Sequence, residues 1–277
     1  MAEETRQDGT GMRAAVREVY GPTDLSAQPM FAGGFINFGY WRGVDLGLPL
    51  GEAERVRSQE DLYRRVLDSA GLPQEPVVLE VGCGLGMGCA VTLREYGPTA
   101  VTGLDIHPEQ LRRARETHAE LLRAERGRLR FVQGAAERMP FGDGEFDAVL
   151  SVEAAQHFPD LAAFAAETAR VLRPDGRAAV TSFFTVDDVP GRPEELATLL
   201  PTFADGLDIA RPVAALADAF TAAGLADVRV ESIGADVWPG WDLWLSRWWA
   251  ADTWPRNFRR AYEGRVLDYF VVTAHRP

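Results

Sequence analysis

Residues 78–86 read VLEVGCGLG, an apolar run that carries a carboxylate, Glu80, and then sets Gly82, Gly84 and Gly86 at alternate positions. Glycines directly after a buried strand let the main chain approach a ligand where side chains would collide. The next apolar run, Thr99 to Asp105, ends in an acid. A carboxylate roughly twenty residues beyond such glycines suits the two hydroxyls of a ribose. The spacing E-x-G-x-G-x-G departs from the dinucleotide pattern G-x-G-x-x-G, because Met87 occupies the place of its third glycine. Glu80, two residues before the first glycine, is placed to reach a ligand ammonium through backbone or water. These residues favour a nucleoside with an amino acid tail and no phosphate, S-adenosylmethionine (SAM), over NAD. They leave two alternatives open: an NAD-dependent oxidoreductase, and a protein that holds SAM or S-adenosylhomocysteine (SAH) in cyclase-like chemistry without transferring a methyl group.

Such residues need a parallel sheet to carry them. A helix over 52–70, closed by Gly71 and Pro73, leads into a first strand at 76–81. Helix 86–96 precedes strand 99–105, helix 108–125 precedes strand 128–133, and 145–152 reads as a fourth strand opened by the turn Gly142-Asp143-Gly144-Glu145. A fifth strand, 177–184, follows helix 160–172 and the turn Arg173-Pro174-Asp175-Gly176. Beyond an insertion at 185–211, helix 212–223, strand 226–233 and a last strand at 267–274 complete the pattern. This rhythm predicts a doubly wound, Rossmann-like α/β fold with a seven-stranded, mostly parallel sheet that binds its ligand at the carboxyl ends of the strands. Residues 1–72 are expected to form a lid and helices, 73–184 the binding core, and 185–277 a cap insertion and the final strands of the same domain.

A formal charge of −12 and a pI near 4.9 argue against a nucleic-acid partner, since backbone binding depends on clustered Lys and Arg. Arg112, Arg113 and Arg115 read as the solvated face of a helix. Cys83 and Cys89 are the only cysteines, so a disulfide framework is not expected, and both read as small packing residues. The polar opening MAEETRQDGTGM contains no apolar stretch for export or spanning, which points to a cytoplasmic protein without a membrane partner. His107, His118 and His275 show no metal-ligand spacing, and no metal is expected. Six of the seven tryptophans fall between Trp238 and Trp254, and Trp241, Trp244 and Trp248 recur at helical steps, so one face presents them either to the core or to a pocket.

The chain resembles the class I SAM-dependent methyltransferases over residues 35–277, and within them the natural-product sugar O-methyltransferases of macrolide and indolocarbazole pathways. The segments that carry the likeness are FINFGYW at 35–41, VLEVGCGLG at 78–86, TGLDIHPEQL at 102–111, MPFGDGEFDAVLSVEAAQHFPD at 139–160 and ARVLRPDGRAAV at 169–180. The resemblance implies SAM as cofactor, SAH as product and a small-molecule acceptor, with a homodimer compatible. It places Tyr40, Gly82 and Gly84 at the methionine end, Asp105 at the ribose, Ile106 on the adenine and Gln110 on the cofactor; Glu80, Cys83 and Val152 are expected in the same cofactor site. Relatives often begin the adenine loop with an acid, whereas this one reads Gly134-Ala135-Ala136-Glu137, so adenine recognition is expected from the backbone of Ala136 and Glu137. The acceptor is expected against Tyr20 and Trp41 of the lid, Phe158, Phe184 and the stripe Trp238, Trp241, Trp244 and Trp248.

His157 lies just past the fourth strand, facing the edge where the methyl donor ends. In the similar sugar enzymes a histidine at this element is the general base on the acceptor hydroxyl, and an imidazole titrates in the right range. An aspartate after strand five assists that base in those relatives. Here the stretch reads Thr181-Ser182-Phe183-Phe184, which leaves Asp187 or Asp188 to take its place, or an acceptor that needs less activation. Glu153, four residues before His157, resembles an acid of sterol and tocopherol C-methyltransferases that is associated with cationic intermediates. It either caps the SAM site or supports carbon methylation of a prenyl or aromatic acceptor.

Overall fold

The computed structural model describes residues 11–277, so the polar stretch 1–10 lies outside the described residues. Seven strands form one sheet: β1 (Val77–Val81), β2 (Ala100–Asp105), β3 (Leu129–Gln133), β4 (Phe146–Val152), β5 (Leu172–Thr185), β6 (Ala226–Ser232) and β7 (Leu267–His275). Their order is β3-β2-β1-β4-β5-β7-β6. Strands β1 to β5 pair in parallel, and β7 runs antiparallel to both of its neighbours. The chain therefore reverses its direction of strand addition between β1 and β4, which opens a crevice at their carboxyl ends.

The helices are α1 (Ala14–Tyr20), α2 (Glu52–Ala70), α3 (Met87–Glu95), α4 (Pro108–Thr117), α5 (Ala119–Ala124), α6 (Leu161–Val171), α7 (Arg192–Leu199), α8 (Pro201–Ala204), α9 (Val213–Ala222), α10 (Trp238–Leu245) and α11 (Asn257–Glu263). Local chemistry sets their ends. The Gly51 N–H donates to Glu54 Oε2 at 2.7 Å at the start of α2, and Gly71 closes that helix at φ 60°, a left-handed value that favours glycine. Asp160 caps α6 by accepting from Ala163 N at 2.9 Å. The single helix expected over 108–125 is two, because His118 leaves helical geometry and turns its ring Nε2 onto the Leu85 carbonyl at 3.1 Å.

Alternation along β1 feeds two core layers. Val78 packs with Leu62 and Val66 of α2 on one face, while Leu79 and Val81 pack with Phe164 and Ala165 of α6 on the other. Leu62 and Val66 are fully buried, each stabilising by roughly 1.5–3 kcal/mol. Among the described residues no helix is long and apolar enough to cross a membrane.

Candidate active site

One cavity lies over the β1/β4 crevice, walled by the glycine turn, the loops after β2, β3 and β4, and residues of α1 and the segment 34–36. Gly82, Gly84 and Gly86 all take positive φ, at 75°, 52° and 73°. A Cβ on Gly82 would collide with the Ala154 methyl and one on Gly86 with the Phe131 ring, whereas a Cβ on Gly84 would meet no protein atom within 4 Å. Gly84 is thus a glycine whose missing side chain leaves room for something other than protein. The Asp105 carboxylate accepts from Gly84 N and from His107 N, both at 2.8 Å, and ties the glycine turn to the start of α4. Burial holds its pKa above the usual carboxylate range.

Further along the wall stand Ile106, Gln110, Ala136 and Glu137. Gln110 Oε1 and Glu137 Oε1 are buried without a hydrogen-bond partner, which costs free energy unless a ligand supplies donors. An open glycine cradle, a ribose-sized acid position and two unpartnered acceptors fit a nucleoside carrying an amino acid. Cys83, Val152 and Phe158 also line the cavity, and burial pushes the Cys83 thiol up to about 11, so it stays protonated.

At the other end Glu153 sits at φ 49°, left-handed for a residue with a side chain. Its N–H still pairs with Thr181 O at 2.9 Å, and the turn it makes leads into the single helical turn Ala155–His157. Glu153 Oε1 accepts from the Phe38 N–H at 2.6 Å and from the Tyr269 hydroxyl at 2.5 Å, and burial raises its pKa to about 7. His157 Nδ1 faces two acceptors, Leu207 O at 3.0 Å and Asp208 Oδ1 at 3.2 Å, so the neutral ring carries its proton there. Its Nε2 is then the acceptor, met by the Tyr20 hydroxyl at 2.9 Å and the Gln156 amide at 3.2 Å. Burial lowers the His157 pKa, with Asp208 opposing, and burial raises that of Tyr20, so at neutral pH an unprotonated imidazole faces a protonated phenol.

The carboxylate beside His157 is therefore Asp208, which arrives from the loop after α8. The expected Asp187 is engaged by Arg192 at 2.7 Å on the surface, and Asp188 beside it is exposed. Arg13, also missed from sequence, pins that loop: its guanidinium donates to the carbonyls of Gly206, Leu207 (3.0 Å) and His157 (3.2 Å). Nor is the arginine row on α4 wholly solvated. Arg113 donates to Tyr20 O and Gly21 O at 3.0 and 2.7 Å and holds the end of α1, and Arg115 donates to Phe131 O at 2.9 Å.

Several expected contacts lie elsewhere. Tyr40 turns its hydroxyl to Asp236 Oδ2 at 3.2 Å and the Trp41 main-chain N–H donates to Asp236 O at 2.7 Å, which docks the segment onto the chain before α10, while the Trp41 ring donates to Phe38 O at 2.9 Å. Glu80 is buried behind the cavity wall, accepts from Cys89 Sγ at 3.0 Å and has its pKa raised to about 7 by burial. Phe184 belongs to the core layer under β5. Trp238, Trp241 and Trp244 are core, and Trp248 is half exposed on Trp244. What fills the space between them is Phe38, whose ring lies 4.6 Å from Trp241, 5.0 Å from Phe258 and 5.6 Å from Trp238.

The family model described as a methyltransferase domain matches residues 79–180, which span the glycine turn to mid β5. Erythromycin 3''-O-methyltransferase of Saccharopolyspora erythraea is 30% identical over 272 residues, covering 88% of this chain and 84% of that protein. The fatty-acid O-methyltransferase of Mycolicibacterium smegmatis is 37% identical over 157 residues, a match that spans about half of each, 56% of this chain and 55% of that protein. In fold, the chain is similar to a geranyl diphosphate C-methyltransferase from Streptomyces coelicolor A3(2), with a TM-score of 0.79, 17% identity and coverage of 95% and 98% of the two chains.

Proposed function

The chain belongs to the class I SAM-dependent methyltransferases that act on small molecules, and from that premise we propose that it methylates a hydroxyl oxygen, with His157 as general base. The observation that carries this reading is the lone pair on His157 Nε2, presented to the cavity by an Nδ1 proton held between Leu207 O and Asp208. Gly82 and Gly84 hold the amino acid end of the cofactor with main chain, Asp105 accepts from the ribose hydroxyls, Ile106 covers one face of the base, and Gln110 and Glu137 offer their unpartnered oxygens. Bound there, SAM supplies a methyl carbon on a positively charged sulfur.

The chain's own work is alignment and proton handling. Nε2 takes the acceptor's hydroxyl proton as the new carbon–oxygen bond forms, and Asp208 offsets the charge that appears on the ring. Tyr20 holds the place of a hydroxyl on Nε2, so an acceptor hydroxyl displaces it or bonds through it. The carboxylates of Asp105, Glu153 and Asp208 all act electrostatically on this end of the cavity and suit a sulfonium. Met12, Val16, Tyr20 and residues 34–36 wall this end, where closing over a bound acceptor would exclude water. In this reading the described part of the first segment, residues 11–72, serves as lid and helices on a core of 73–184, with the segment 185–277 supplying Asp208.

A second reading, carbon methylation, is favoured by Glu153, a buried carboxylate held in left-handed geometry at the same edge. Both are tested by pairing His157→Ala with Glu153→Gln. For oxygen chemistry on an unactivated hydroxyl, His157→Ala leaves SAH affinity within a few-fold while lowering methyl transfer by about 10²–10⁴-fold. A near wild-type rate rules out the base, and a larger loss in Glu153→Gln at unchanged SAH affinity moves carbon methylation ahead.

A further inference from the structure

The chain contains no lysine: all 29 of its basic residues are arginine. Around the reacting end of the cavity, among the described residues, only Arg13 of these lines the wall, and its guanidinium is turned onto the carbonyls of His157, Gly206 and Leu207. Arg55 lies behind Glu153, fully buried, and donates to the carbonyls of Met30, Asn37 and Phe38. Neither is turned toward a ligand. Against these stand the carboxylates of Asp105, Glu137 and Glu153 on the wall and Asp208 directly behind His157. The remaining surface there is apolar, with Met12, Val16, Phe35, Ile36 and Phe158.

A phosphate or carboxylate brought into this space would lose its water beside carboxylates and, among the described residues, find no side-chain guanidinium or ammonium turned toward it. An alcohol meets the opposite conditions: apolar walls for its carbon skeleton and one lone pair, His157 Nε2, for its O–H. The Tyr20 hydroxyl, 2.9 Å from that nitrogen, marks where such a group sits. We propose that the acceptor is an apolar alcohol bearing no anionic group, and that the cavity selects against phosphorylated and carboxylate forms of the same skeleton. This rests on the methyltransferase reading of the site and narrows its substrate class.

Three probes on one carbon skeleton test it: geraniol, geranic acid and geranyl diphosphate, the last with and without Mg²⁺. Each is titrated at pH 8 into the full-length protein saturated with SAH, after the SAH affinity itself has been measured by calorimetry. Geraniol should bind at least tenfold more tightly than either anion, and Glu153→Gln and Asp208→Asn should each narrow the gap. Equal or tighter binding of the diphosphate or the acid overturns the inference, as does failure of geraniol to bind or a gap that neither variant changes. If SAH does not bind, the underlying site assignment falls instead, so the two failures are told apart in one experiment.

Discussion

Replacing Asp105 by Ala removes a carboxylate with two measurable duties. Its oxygens accept from Gly84 N and His107 N at 2.8 Å each, and its face lines the cavity where a ribose would lie. A hydrogen bond to a charged group contributes about 1.5–3 kcal/mol, so losing the ribose contact alone weakens ligand binding by about 10- to 150-fold. The variant also leaves the half-buried Gly84 N–H and the buried His107 N–H without their acceptor. Unpairing a buried donor costs about 1–3 kcal/mol, and in a chain of this size each kcal/mol lowers Tm by roughly 2–4 °C. Calorimetric titration with SAH should therefore show at least a tenfold loss of affinity, and a thermal melt of the ligand-free variant a fall of several degrees. Asp105→Asn separates the duties. It keeps one acceptor oxygen but turns an NH₂ toward the other main-chain donor, so it should fall between wild type and Ala in both measurements. A folded Asp105→Ala variant that binds SAH within twofold of wild type would refute the assignment of this wall to the ribose.

Gly84→Val should abolish SAH binding while the protein stays soluble, since the added side chain meets only the cavity, at a left-handed φ of 52°; retained binding measured by titration contradicts the cradle. Asp208→Asn should slow methyl transfer by less than the roughly 10⁴-fold that follows when a tautomer is lost, because Leu207 O still holds the Nδ1 proton. As Asp208 raises the His157 pKa, its neutralisation should also move the acid limb of the pH–rate profile to lower pH, and an unmoved limb argues against the pair. Stability without ligand should rise as pH falls from 8 toward 6.5. Glu80 and Glu153 have folded pKa values raised to about 7, so the stability linked to their protonation is full below the unfolded range and lost as pH rises through 7. Below 6.5 the lowered pKa values of His157 and His118 act in the opposite sense, and Glu153→Gln should flatten the slope above 6.5 in chemical denaturation.

Much of this molecule is encoded over short distances. The strand–glycine–helix unit at 77–95, the acid ending β2 and the helix over 52–70 follow from alternation, glycine placement and capping, each decided within a few residues of where it acts. For that reason the sheet, the cradle, Asp105 and the exit of His157 from β4 were legible in the sequence, and the cavity gathers them. What joins residues far apart was not. Asp208 reaches His157 from fifty-one positions away because the loop after α8 folds back onto the cavity, pinned there by Arg13 from the other end of the chain. No spacing rule records such a closure, since the intervening α7 and α8 could project a loop aspartate in many directions. The tryptophans show the same limit from the other side. A helical stripe of large apolar rings satisfies a core and a pocket equally in one dimension, and only the arrival of Phe38 among Trp238, Trp241 and Phe258 made it core. Local pattern determines which face is apolar; what that face meets depends on packing from all over the chain.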